Sequence, residues 1–161
     1  MILPRDLEAE GACLSAVLLD PRAIDRLGEL PAEAMFSKAH EAILNGMREL
    51  GPTLDIVTLS RWLRDRGLLD LAGGSSYLAG LGDCSPSIGN LEAHVKIVAE
   101  KYRLRLLVQT CSRIAEDGCG EVPVTAEFIA ASENAISAVA RGQAEESATL
   151  PGPVLTEVFK Q

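Results

Sequence analysis

An all-α fold follows from three features of this sequence. The chain is 47% hydrophobic but only 4% aromatic, its apolar residues recur at three- and four-residue spacings, and Pro and Gly fall mostly at the joints between such stretches. Leu, Ala, Ile and Val suit helices packed through aliphatic ridges, whereas a β-sandwich draws on Tyr, Phe and Thr. With 161 residues there is enough chain for one compact domain, or a small domain with an appendage, to bury a core.

Leu7, Gly11, Leu14 and Leu18 line one face of a first helix, and Asp6 caps it. Gly11 lowers helix propensity there, so a close approach by a neighbouring backbone is the expected compensation. Asp20-Pro21 restarts the chain as an N-cap followed by Pro at the first helical position, opening a short helix with Ile24 and Leu27. Pro31 marks a second restart. Ser37 caps a helix running to about Leu50, with His40, Ile43, Leu44, Met47 and Leu50 as its apolar stripe and Gly51-Pro52 as its stop. The next helix begins between Asp55 and Thr58, buries Leu59, Trp62 and Leu63, and ends at Gly67. Gly73-Gly74-Ser75 turns into a short helix with Tyr77, Leu78 and Leu81, after which Ser85-Pro86 and Asn90 mark a loop and a cap. These elements predict a globular head over residues 1–90.

From Leu91 to about Asp117 the apolar pattern runs without Pro or Gly through Val95, Val98, Tyr102, Leu106 and Ile114, which predicts one long helix. Gly118, Gly120 and Pro123 break it. Thr125 starts another, with Phe128, Ser132, Ala135, Ile136 and Val139 expected to face one way. Two helices joined by so short a connection form an antiparallel αα-hairpin, here residues 91–141. Residues 142–161 read as a linker: Gly142 to Ala148 is polar and small, and Val154, Leu155, Val158 and Phe159 then have the spacing of an amphipathic helix at its start, suited to docking on a partner.

A formal net charge of −8, from 23 acidic and 15 basic residues, argues against a surface that binds nucleic acid by neutralising phosphates. Lys96, Lys101, Arg103 and Arg105 form the best basic cluster, but Glu92 and Glu100 interleave with them as on a solvated helix face. Cys13, Cys84, Cys111 and Cys119 make no C-x-x-C pair and have no His at ligand spacing, so packing explains them better than zinc. Charges within the first ten residues argue against a signal peptide, and no stretch reaches the roughly 20 apolar residues of a membrane span. A cytoplasmic protein with reduced thiols and no membrane association is expected.

No G-x-x-x-x-G-K-[ST] loop occurs, and Gly73-Gly74-Ser75-Ser76 lacks the lysine that would pair with phosphates. His40 and His94 have no Ser or Cys with a carboxylate at a spacing that argues for nucleophilic catalysis, so structural roles account for both. Asp20 and Asp55 sit where helices begin, and capping explains them. No catalytic, cofactor-binding or metal-binding residue is assigned.

Leu3-Pro4 followed by Leu7-Glu8-Ala9-Glu10, then Ala16-Val17-Leu18-Leu19-Asp20-Pro21, resembles the opening of DnaB-type replicative DNA helicases. Met35-Phe36 with His40, Ile43, Met47 and Leu50 is similar to the next block of that family, as is Leu54-Asp55-Ile56-Val57-Thr58-Leu59 followed by Leu63 and Gly67-Leu68-Leu69. Gly73-Gly74 with Tyr77-Leu78, then Asn90, Ile97-Val98 and Arg103-Leu104-Arg105, continues in family order. Each block alone is a set of caps and core positions; the ordered series from about Leu3 to Val139 is what is specific. His94 departs from it, standing where an aromatic is expected.

The resemblance implies the N-terminal scaffold of such a helicase. Its head and hairpin would form a collar, assemble as a homo-oligomer between dimer and hexamer, and offer a surface to primase and in some systems to a helicase loader. Self-association is expected through Phe128, Ile129, Ser132, Ala135, Ile136 and Val139, and docking of a linker helix through Val154, Leu155, Val158 and Phe159. ATP, Mg and DNA would be handled by a motor domain beyond this chain, leaving the fragment itself without enzymatic activity. Two other readings are a free-standing helical adaptor of the same fold and a small cytosolic hydrolase using His40 with a nearby carboxylate.

Overall fold

The computed structural model describes residues 2–83 and 88–142, apart from the side chain of Ile88. All regular structure among them is helical: α1 (Leu7–Leu19), α2 (Lys38–Leu50), α3 (Ile56–Asp65), α4 (Gly74–Asp83), α5 (Leu91–Gly118) and α6 (Thr125–Arg141), joined in part by short 3-10 turns. Local chemistry sets the starts. Asp6 accepts from the Ala9 amide at 2.9 Å, Asp20 accepts from the Arg22 amide at 3.1 Å ahead of Pro21, and Ser37 caps α2. At α3, Asp55 takes the Thr58 amide while the Thr58 hydroxyl takes the Asp55 amide, a reciprocal capping box. Gly51, Gly67 and Gly73 all have positive φ, the left-handed backbone that lets a helix or turn end abruptly.

The chain forms two compact units, Met1–Tyr102 and Arg103–Gln161, so the division falls within α5. In the first, α1 packs on α2 and α4, and α3 packs on α2 and α4. Leu14, Ile43, Leu44, Met47, Leu59, Leu63 and Leu78 are its fully buried centre, and Leu91 and Val98 from the start of α5 belong to the same cluster. Ser15 ties α1 to α4 by donating its hydroxyl hydrogen to the Leu81 carbonyl at 2.7 Å.

The face of α1 differs from expectation. Glu10, Cys13, Leu14 and Val17, with Ala9, Ser15 and Ala16, are buried, whereas Leu7 is exposed. A helix covered on more than one side by its neighbours buries small and polar residues too, so the large apolar positions misreport its phase. The close approach expected at Gly11 is likewise absent: a Cβ there would meet only the Leu81 side chain, at 3.9 Å. Gly46 in α2 is the tight contact, where a Cβ would stand 2.8 Å from Leu59 Cδ1 and 2.9 Å from Trp62 Cε3. Trp62 itself is only partly buried, with the Arg66 guanidinium 4.0 Å from its ring centroid and Arg66 paired to Glu49 at 2.5 Å.

In the second unit α5 and α6 run antiparallel. At one end the Phe128 ring lies 3.3 Å from where a Cβ of Gly118 would be; at the other the Arg103 guanidinium lies 4.0 Å from the corresponding point at Gly142. The supposed solvated face at Lys96–Arg105 needs correction, since Arg105 is 6% exposed and Glu92 pairs across sequence with Arg26 at 3.2 Å. Packing does not account for every cysteine either: Cys13 is buried, but Cys111 and Cys119 are exposed. Val154, Leu155, Val158 and Phe159, like Cys84, lie outside the described residues.

Candidate functional site

Two places stand out, a polar cluster inside the head and an apolar surface on the hairpin. The cluster centres on His40, on the buried face of α2. Its Nδ1 meets Glu10 Oε2 at 2.7 Å and its Nε2 meets the Tyr77 hydroxyl at 2.5 Å. Glu10 also accepts the Phe36 amide at 2.7 Å and the Ser37 amide at 3.3 Å. One carboxylate therefore satisfies the imidazole and two backbone donors at the entrance to α2, which is how a buried charge is made tolerable. A carboxylate only accepts, so Nδ1 carries hydrogen toward Glu10.

This arrangement supplies the carboxylate that a His40-based hydrolase would need, but the group on the other nitrogen is a phenol. Both imidazole nitrogens are committed to partners on α1 and α4, and the ring stacks near Tyr77 with centroids 6.0 Å apart. The cluster joins three helices and reads as a clasp. Nearby, burial and the Glu10 carboxylate push the Cys13 thiol up to about 12, which keeps it protonated and unreactive at neutral pH. Sequence reasoning named Glu10 and Tyr77 within blocks similar to the family but gave neither a role at His40. The only local signal was that Glu10 is spaced three, four and seven residues from Cys13, Leu14 and Val17.

The hairpin residues singled out from sequence differ in how far they are covered on α6. Ala135 and Val139 are buried, Phe128 and Ser132 partly so, while Ile129 is 52% and Ile136 40% exposed. They make one broad face whose edge, at Ile129 and Ile136, is open to solvent. Residues 128, 132, 135 and 139 form the covered centre of that face by their spacing of four, three and four; 136, four from 132 and three from 139, and 129, three from 132, lie along its open edge. Leu104 on α5 is 47% exposed as well, a position the sequence reading left out. Among the described residues no group of His, Cys, Asp or Glu could hold a metal ion, and no helix is long and apolar enough to cross a membrane.

A family model described as the DnaB-like helicase N terminal domain matches residues 2–100. The chain belongs to that family. Among curated relatives, this DnaB-type domain is 34% identical over 86% of its length to the replicative DNA helicase DnaC of Bacillus subtilis, of which it covers 31%. It is 40% identical over 73% of its length to the replicative DNA helicase DnaB of Geobacillus stearothermophilus, of which it covers 27%. The chain thus spans roughly a third or less of the relatives it matches. Among solved structures, the N-terminal domain of DnaB helicase from Mycobacterium tuberculosis superposes with a TM-score of 0.77 at 32% identity, covering 84% of this chain and 99% of that one.

Proposed function

We propose that this DnaB-type domain is the collar-forming scaffold of a replicative helicase. It assembles with further copies of itself through the hairpin and presents the collar to primase, and to a loader where one is used. ATP and Mg, and with them unwinding and contact with DNA, belong to a motor domain outside these residues, so the fragment by itself catalyses nothing. The cytoplasm is its place of work.

The observation that carries the reading is the outward set of long aliphatic side chains on the hairpin, Leu104, Ile129 and Ile136. Each such side chain gains about 1.5 to 3 kcal/mol on full burial, and isolated antiparallel helices leave part of that gain unrealised. A further copy realises it. Sedimentation equilibrium of the chain, alone and with a primase C-terminal domain, tests the proposal. The expected result is a concentration-dependent mass above the protomer and a further increase when primase is added. A monomer at every concentration that ignores primase overturns it.

A further inference from the structure

The outer side of α3 carries a shallow groove of about 560 Å³, lined in part by Ile56, Val57, Ser60, Arg61, Arg64 and Asp65. Positions 57, 60, 61 and 64 repeat at three and four residues, so they form a stripe on the side away from the buried Leu59 and Leu63. The stripe is apolar at its start, where Val57 is 71% exposed, and basic at its end.

The two cations are differently placed. Arg61 reaches Asp65 only at 3.8 Å, with both side chains exposed, a pairing worth little. Arg64 has no carboxylate partner among the described residues. The neighbouring Arg66, by contrast, is spent on Glu49 and on the Trp62 ring. An arginine in the last turn also offsets the helix dipole, which accounts for the charge but not for an exposed valine on the same stripe.

The geometry points to this groove as a docking site for an acidic peptide that also carries aliphatic side chains. The aliphatic group would cover Ile56 and Val57, and a carboxylate spaced three or four residues along would take the Arg64 guanidinium in a two-pronged pairing. Charge complementarity favours such a peptide over a nucleic acid. Two arginines give little phosphate neutralisation, an aliphatic floor gives bases nothing to stack on, and the nearby indole of Trp62 is already covered by Arg66. The site is on the head and is independent of the hairpin surface, so it stands or falls apart from the collar reading.

The test uses the whole chain and a fluorescein-labelled amphipathic peptide of leucine and glutamate, followed by fluorescence anisotropy. A matching peptide of leucine and lysine and a labelled oligothymidylate serve as comparisons. Saturable binding of the glutamate peptide is expected, with amide shifts confined to α3 and its neighbours in NMR spectra. Arg64→Glu should weaken it about tenfold while improving binding of the lysine peptide, and Val57→Ser should weaken it severalfold. Both side chains are solvent-facing, and circular dichroism is to check that each variant keeps its fold. Unchanged affinity in Arg64→Glu, equal binding of the lysine peptide by the unaltered chain, shifts centred away from α3, or tighter binding of oligothymidylate at α3 would each overturn the assignment.

Discussion

In the head, Leu14, Ile43, Leu44, Met47, Leu59, Leu63 and Leu78 are withdrawn from water against one another; in the hairpin from Arg103 onward, the described aliphatic residues that reach burial are Ala135, Ala138 and Val139. Both regions are helical and of ordinary composition, but they differ in where the large side chains go. Several long aliphatics of the hairpin, Leu104, Ile129 and Ile136, are instead turned to solvent. Small residues on the covered side of a helix allow close packing yet bury little apolar area. The head therefore closes a core of large side chains while still exposing Leu7, Leu19, Val57 and Leu71, whereas the hairpin buries only small aliphatics of its own and leaves Leu104, Ile129 and Ile136 outside.

The sharpest way to break this contrast is to place a charge in each region. Leu44→Asp combines a cavity with an unpaired buried carboxylate, a loss beyond the ~2–5 kcal/mol of a Leu→Ala change, and should abolish the cooperative melt seen by circular dichroism. Ile136→Asp, at a side chain already 40% exposed, should cost only about 1–2 kcal/mol and keep a cooperative melt, while self-association weakens about tenfold in sedimentation equilibrium. Should Ile136→Asp unfold the chain as Leu44→Asp does, the hairpin is self-sufficient core and the contrast fails.

The clasp at His40 gives the next largest effect. Glu10→Ala strips the acceptor from His40 Nδ1 and from the Phe36 and Ser37 amides, and a denaturant titration should register a loss of about 3 kcal/mol or more. A loss no larger than that of an exposed glutamate on the same helix would show that the cluster contributes nothing to the head. Gly46→Ala follows, because its methyl would press on Leu59 and on the rigid Trp62 ring; the expected cost is about 1–3 kcal/mol by the same titration. Stabilisation instead would mean that the α2–α3 contact yields easily.

The smallest effect is chemical. With its thiol pushed up to about 12 and its side chain buried, Cys13 should resist iodoacetamide in the folded protein at mildly alkaline pH, while the exposed Cys111 and Cys119 are modified. Peptide mass mapping reads this directly. Modification of Cys13 at the rate of the exposed hairpin cysteines would show that Cys13 is not shielded in the folded head.

The sequence by itself determined the helix starts at Asp6, Asp20, Ser37 and Asp55, because a cap joins a side chain to an amide two or three residues away and needs nothing distant. It determined the all-α class and, through the order of its blocks, the DnaB-type family. Only the tertiary structure decided that Glu10, His40 and Tyr77 meet, since they lie 30 and 37 residues apart and no local spacing encodes that encounter. It also decided that Gly46 and not Gly11 is the close contact, that α1 buries its Glu10 side, and that Ile129 and Ile136 stay exposed while Ala135 and Val139 are covered. Each of these depends on which neighbour covers a helix, and periodicity reports that a helix has an apolar face without saying what lies against it.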